Sequence, residues 1–148
     1  MEIGERTECC HSLLYVSRCR VTPAADPAQI AQIVRDAAAF NAANGVTGAL
    51  ITTRNYFAQH LEGPQAVIAA LMRRIETDPR HSDVRIIREA PGVARLFGQW
   101  SMAYCGPTGF LDREIGPALA ASPRTDEHAR HLLALMLEFV RQDRLDIP

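Results

Sequence analysis

Three polar side chains occur at positions where the apolar pattern predicts burial. In the sequence YFAQHLEGP, read as a strand, Gln59 shares a face with Phe57 and Leu61. Asn41 falls on the apolar stripe of a predicted helix, and Tyr15 lies on the apolar face of a predicted strand. A buried phenol or carboxamide without a partner costs about 1–3 kcal/mol. If they converge, the three groups suit a flat ligand edged with donors and acceptors, such as flavin, pterin or purine, although they could also simply satisfy one another.

Further side chains could complete such a pocket. Ile33 and Ile75, one on each of two predicted helices, could grip the faces of a flat ligand. The end of the second helix carries a polar cluster that could meet a ribityl or phosphate tail, or could be a solvated helix end: Arg74, Asp78, Arg80 and His81. Neither GxGxxG nor GxxxxGK[ST] occurs, so Rossmann and P-loop modes of nucleotide binding are excluded.

The elements that must position these side chains follow from periodicity. Short apolar runs predict five strands, at 12–18, 46–53, 56–64, 84–90 and 96–104. Apolar residues at helical spacing predict helices over about 27–43, with Asp26 as the N-cap, and from 63–64 to near 78. The order βαββαββ predicts an α+β, ferredoxin-like sheet with two helices on one face. We expect the first and third strands to be parallel.

The character of the chain changes after about residue 105. Two helical segments are predicted, at about 112–121 and 126–141, and the second carries a broad apolar stripe from Leu132 to Val140. That stripe could dock on the open face of the sheet or against another subunit. The predicted organisation is a tail over 1–11, a ligand-binding domain over 12–105 and a helical extension over 106–148.

Composition excludes several classes of function. The 148 residues fit one domain, and 47% hydrophobic residues suffice for one packed core. A formal net charge of -1 favours neither nucleic acid nor anionic membranes as a partner. No apolar run is long enough for a membrane span or signal peptide, so we expect a cytoplasmic protein with its four cysteines reduced. No pattern of ligands predicts a metal site.

Five motifs, in order and at matching spacing, closely resemble the BLUF family of flavin-binding blue-light sensors. They are YVS from Tyr15, FNAANGVTG at 40–48, FAQHLEGP at 57–64, RRIETDPRH at 73–81 and WSM at 100–102. The resemblance covers about residues 12–104. Each motif is weak alone, but five in register are specific. Phe40 departs from the family, in which the position before the asparagine is often polar.

The resemblance implies a role for each matching residue. Tyr15 would be the photoactive tyrosine, Gln59 the switching glutamine, and Asn41 the residue that holds the polar edge of the flavin ring. Flanking and tail-contacting positions would be Ile33, Ile75, Arg74, Asp78, Arg80 and His81, with Met102 near the glutamine and Trp100 as the family's tryptophan. The implied cofactor is FAD, with FMN or riboflavin as alternatives.

The same resemblance implies a sensor rather than an enzyme. In the family, excited flavin takes an electron and a proton from the tyrosine, and the glutamine is left rearranged by rotation or tautomerisation, so that absorption shifts slightly to the red. The signal would leave through the fifth strand and the C-terminal helices to a separate effector protein. We expect a short, stand-alone sensor that forms a homo-oligomer.

Two other functions compete with the photosensor. One is a light-insensitive flavin-binding or interaction domain that keeps only the fold. The other is a small acylphosphatase-like enzyme, which needs a phosphate-cradling loop after the first strand. The segment RCRVTPAADP at that point is not glycine-rich, which disfavours the enzyme.

Overall fold

The computed structural model describes residues 10–20, 27–105, 112–120 and 126–143. The predicted α+β class is confirmed. The elements are β1 (Cys10–Cys19), α1 (Pro27–Asn44), β2 (Thr47–Thr52), β3 (Tyr56–Gly63), α2 (Gln65–Glu76), β4 (His81–Val93), β5 (Ala103–Cys105), α3 (Asp112–Ala120) and α4 (Asp126–Asp143). The predicted N-cap of α1, Asp26, lies outside the described residues. Gly45, at φ 72°, follows the end of α1 in the left-handed conformation that glycine adopts without strain.

The five strands form one sheet in the order β4-β1-β3-β2-β5. β3 is antiparallel to both β1 and β2, β4 is antiparallel to β1, and β5 is parallel to β2. The expectation that β1 and β3 are parallel is therefore wrong. The helix α1 carries the chain back to the end where β1 began, so β2 runs in the direction of β1. The hairpin then reverses β3, which inserts between them.

The fifth strand is much shorter than expected. Of the described residues in this stretch, 103–105 pair with β2, while residues 94–102 form a connecting loop. The backbone N–H of Trp100 bonds the carbonyl of Phe97 at 2.9 Å, which makes a turn at Gly98 and Gln99. The N–H groups of Leu96 and Phe97 bond a side chain rather than a neighbouring strand. Alternating apolar residues in this stretch thus belong to a loop whose backbone groups bond a turn and a side chain from another strand.

Each face of the sheet carries its own core. On one face, α1 and α2 pack over odd-numbered residues of β1 and β3, among them Leu13, Tyr15 and Leu61. On the other face, α3 and α4 bury residues such as Ile115, Leu132 and Met136 against Leu14, Val16 and Ile51. The apolar stripe of α4 was expected to dock either on the open face of the sheet or against another subunit. In the structure it packs on the sheet.

The hairpin between β2 and β3 depends on one close approach. A side chain at Gly48 would collide with the backbone carbonyl of His60 on the facing strand. β2 and β3 pair without interruption from Thr47 opposite Glu62 to Thr52 opposite Phe57. This register puts Gln59 on the face covered by α1 and α2, as the alternation predicts.

Candidate functional site

A pocket lies between the sheet and the helices α1 and α2. All nine residues predicted to contact a ligand line it: Tyr15, Ile33, Asn41, Gln59, Arg74, Ile75, Asp78, Arg80 and His81. They come from five elements and one turn, and the sheet register together with helix packing brings them to one place. Apolar walls and a few polar groups are the usual makeup of a site for a flat organic ligand.

A hydrogen bond between Tyr15 and Gln59 crosses the floor of this pocket. The two residues are direct partners in the β1–β3 register, and the Tyr15 hydroxyl donates to Oε1 of Gln59 at 2.5 Å. Both side chains are buried, at 1% and 5% exposure. Burial, together with the negative charge of Asp78, raises the pKa of Tyr15 far above its ordinary value. The phenol therefore holds its proton in the resting protein.

The other end of the Gln59 amide points to Met102. Its Nε2 lies 3.8 Å from the sulfur of Met102, which packs with the apolar residues under α1. A carboxamide offers an acceptor on one side and donors on the other. Gln59 thus contacts two parts of the sheet at once. Its oxygen bonds Tyr15 on β1, and its nitrogen contacts Met102 in the loop that precedes β5.

Asn41 connects α1 to the same loop. It is only 1% exposed, and its Nδ2 donates to the backbone carbonyl of Ser101 at 2.8 Å. The backbone carbonyl of Asn41 accepts the N–H of Val46 at 2.9 Å, which ties the end of α1 to the residue before β2. The carboxamide is therefore held in orientation while it lines the pocket.

A histidine and a serine form a pair that the motifs did not predict. Ser17 Oγ and His81 Nδ1 are 2.9 Å apart, and the His81 ring packs against Phe57 with centroids 4.6 Å apart. Burial lowers the pKa of His81 to about 4, with Asp78 opposing that shift and Arg80 adding to it. His81 is therefore neutral near pH 7. Only the alternation that puts Ser17 on the face of Tyr15 could have indicated this pair.

Charged groups gather where α2 ends. Arg80 donates to both carboxylate oxygens of Asp78, at 2.7 Å from Nη2 and 3.0 Å from Nε. These hydrogen bonds hold the pKa of Asp78 below its ordinary value, against the effect of burial. The guanidinium carbon of Arg74 lies 4.9 Å from the centroid of the Phe40 ring, in cation–π geometry. Phe40 and Asp36 also line the pocket and were not among the predicted contact residues.

Trp100 does not lie with this group. Residues 94–102 form a loop rather than part of the predicted fifth strand, and Trp100 and Met102 lie on opposite sides of the sheet. Trp100 packs with the α3 and α4 core on the far side of the sheet. Met102 packs on the pocket side.

Two further observations bear on ligand class and environment. Among the described residues, no three His, Cys, Asp or Glu side chains come together as a metal site. No helix in the described part of the chain has the length and apolar character needed to cross a membrane.

Comparison with known proteins gives a consistent result. A family model described as BLUF, sensors of blue-light using FAD, matches residues 10–103. The beta subunit of a photoactivated adenylate cyclase from Euglena gracilis is 34% identical over 92 residues, which are 62% of this chain. The chain spans about a tenth of the length of that relative.

Solved structures share the architecture over most of the chain. BlsA in its photo-activated state superposes with a TM-score of 0.71 at 25% identity, covering 86% of this chain and 94% of BlsA. BlrB, a BLUF protein in its dark state, gives a TM-score of 0.66 at 28% identity, covering 89% of this chain and 98% of BlrB.

Proposed function

The chain belongs to the BLUF family of flavin-binding blue-light sensors, and from that premise we propose that Tyr15 and Gln59 form its light-operated switch. The observation that carries this proposal is the hydrogen bond from the Tyr15 hydroxyl to Gln59 Oε1, on the floor of a pocket bounded by two helices. A phenol that is hydrogen-bonded to an amide oxygen can pass its proton along that bond, and the other end of the amide contacts Met102.

The residues that line the pocket support the binding of a flavin ring. Ile33 from α1 and Ile75 from α2 supply apolar walls for its two faces. Asn41 and Gln59 supply carboxamide donors and acceptors for its polar edge. Both amides are buried and oriented by other hydrogen bonds, so little side-chain entropy is lost on binding.

The proposed switch depends on the phenolic proton of Tyr15 and on its acceptor, Gln59 Oε1. A bound flavin absorbs blue light and, once excited, can oxidise a nearby phenol. With flavin bound, Tyr15 would give an electron to the excited flavin and release its phenolic proton along the hydrogen bond to Gln59 Oε1. The Gln59 amide would then rotate or tautomerise, and the electron would return from the flavin, and the proton through the amide, to Tyr15. Gln59 is left with a new hydrogen-bond arrangement that relaxes thermally in the dark.

We propose FAD as the cofactor. Arg74 and Arg80 are the cations that line the pocket, and both suit the phosphates of a flavin tail. Arg80 is already paired with Asp78, while Arg74 is exposed and rests on Phe40. FMN would meet the same side chains with one phosphate, and riboflavin would meet them with none.

The signal would leave through the loop and the C-terminal helices. Gln59 contacts Met102, which directly precedes β5. Ala103 and Cys105 of β5 belong to the same core as Leu132 and Met136 of α4. A sensor domain over 12–105 and an output and oligomerisation segment over 106–148 follow as proposals, with a separate protein as the effector.

The deciding experiment is a visible spectrum in the dark and after a blue flash, on the flavin-loaded full chain. The expected result is a small red shift of the flavin bands that reverses in the dark, and its loss in Gln59→Leu with flavin retained. A yellow protein without a reversible shift would indicate the light-insensitive binder, and a protein that stays colourless with added flavin would refute flavin sensing.

A further inference from the structure

Glu62 is a fully buried carboxylate three residues beyond Gln59 on β3. It is 0% exposed and faces the side of the sheet opposite the pocket, as β3 alternates. Its Oε1 accepts the N–H of Leu96 at 2.9 Å, and its Oε2 accepts the N–H of Phe97 at 2.7 Å. The carboxylate thus fixes the beginning of the loop 94–102.

Among the described residues, every hydrogen-bond partner of this carboxylate acts as a donor. Thr47 Oγ1 lies 2.9 Å from Oε2 and itself accepts from Arg95, so its proton is directed at Glu62. His60 Nε2 lies 3.1 Å from Oε1. Burial opposes ionisation of Glu62, but the hydrogen bonds from His60, Leu96 and Phe97 outweigh it and lower its pKa. The group is an ionised acceptor for four donors.

The far end of the same loop is held from the pocket side. The backbone carbonyl of Trp100 accepts the N–H of Gly48 at 3.2 Å, and the carbonyl of Ser101 accepts from Asn41. Met102 meets Gln59. Glu62 and Gln59 therefore lie on one strand, on opposite faces, and hold the two ends of one loop.

We infer that Glu62 is a positioning residue for the photoreaction: it anchors the loop so that Ser101 and Met102 meet Asn41 and Gln59 in a single arrangement. The inference rests on the proposed function. With the first end of the loop fixed, a change at Gln59 can displace only the segment from Trp100 to Met102. If the anchor is released, the whole loop can follow, and the return of Gln59 to its dark arrangement meets a lower barrier.

Glu62→Gln is the test variant because it keeps the shape and removes half of the acceptor capacity. Its Nε2 would face a donor wherever it points. In the flavin-loaded full chain, the lifetime of the red-shifted state should shorten by about fivefold, the factor that corresponds to one lost hydrogen bond. Trp100 is the chain's single tryptophan, so quenching of its fluorescence by acrylamide should increase.

The matched control is Ile68→Val, which removes one buried methylene from a residue of α2 that is outside the loop and does not itself line the pocket. If Glu62→Gln behaves like this control in lifetime and in quenching, the anchoring role is refuted. A shorter lifetime with unchanged Trp100 quenching also refutes it. Should Glu62→Gln fail to fold, Glu62→Asp takes its place, because the shorter carboxylate cannot reach both N–H groups, and the same two readouts decide.

Failure of the proposed function is distinguishable from failure of this inference. If the natural sequence shows no reversible red shift, the photosensor proposal fails, and quenching of Trp100 in the dark still decides whether Glu62 anchors the loop. If the natural sequence shifts normally and Glu62→Gln matches Ile68→Val, the photosensor stands and the inference fails.

Discussion

Tyr15 and Gln59 face each other directly across the β1–β3 pair, and the phenolic hydrogen of Tyr15 points at the amide oxygen of Gln59. Both strands are buried on both faces of the sheet, so a shift of register by one residue would carry either side chain into the opposite core. The packing of the whole sheet thus fixes the contact between Tyr15 and Gln59.

Replacing Tyr15 by Phe should abolish the light-induced red shift and leave flavin binding intact. The ring still fills its space, but the phenolic proton and the hydrogen bond to Gln59 are gone, at a cost of about 1 kcal/mol in stability. The measurement is a difference spectrum after a blue flash. Tyr104→Phe is the control, since its hydroxyl bonds Thr52 at 2.6 Å on the same face. A shift that survives in Tyr15→Phe would contradict the proposed switch.

Replacing Asn41 by Asp should weaken both stability and flavin binding. The substitution puts an oxygen where Nδ2 now donates to the carbonyl of Ser101, and it buries a charge. We expect a loss of about 2 kcal/mol or more in unfolding free energy and a higher dissociation constant for flavin. Denaturant unfolding and flavin titration measure the two effects.

The control for that change is Asn44→Asp on the same helix. Asn44 is exposed, and its amide donates to the backbone carbonyl of Phe40 one turn earlier. Asn44→Asp should change the free energy of unfolding little and leave the dissociation constant for flavin unchanged. Equal effects at both positions would show that Asn41 has no particular role in the pocket.

Stability should fall as the pH drops from about 7 towards 4, in part because of His81. Its pKa is about 4 in the folded chain and 6.5 as the ordinary value, so the unfolded chain binds more protons between these limits. The stabilisation from neutral His81 is complete above pH 6.5 and is lost as pH falls through 4. Unfolding curves over this range, for the natural sequence and for His81→Asn, measure it.

The variant should show a flatter pH dependence over that window. Asp78 and Glu62 have lowered pKa values and lose their stabilisation at acid pH, but they do so in both proteins. The difference between the two curves therefore isolates His81. Identical slopes would mean that His81 is not buried as a neutral ring.

Period-two alternation was sufficient to assign the faces of β1 and β3, because each side chain on a buried strand has only two directions open to it. It failed at 96–104, where the backbone of Leu96 and Phe97 bonds a side chain from another strand. No local pattern signals a hydrogen bond that spans more than thirty residues of sequence. The predicted strand at 96–104 is therefore a loop up to residue 102, with Trp100 on the side of the sheet away from the pocket.

The relative direction of β1 and β3 also could not be predicted from the periodicity of the individual strands. The periodicity identifies each strand, but the crossover helix and the insertion of β3 between β1 and β2 decide the direction. The pair formed by Ser17 and His81 was missed for a similar reason, since it joins β1 to the first residue of β4. Such contacts depend on sheet order, which single elements do not encode.

Arg74→Ala should weaken binding of FAD more than binding of riboflavin. Arg74 lines the pocket, is exposed and lies over the Phe40 ring at 4.9 Å, so its loss removes both a cation for the tail phosphates and a cover for Phe40. The cation–π contact is worth about 0.5–1 kcal/mol at an exposed site, which is a two- to fivefold effect common to all flavins. The lost phosphate contact adds a further effect for FAD that riboflavin does not show, and that part of the loss should shrink with added salt.

Arg73→Ala is the matched control, because Arg73 is the exposed neighbour on α2 that does not line the pocket. Dissociation constants for FAD, FMN and riboflavin, measured by flavin fluorescence at low and high salt, separate the two contributions. An equal loss for FAD and riboflavin would contradict contact between Arg74 and the tail.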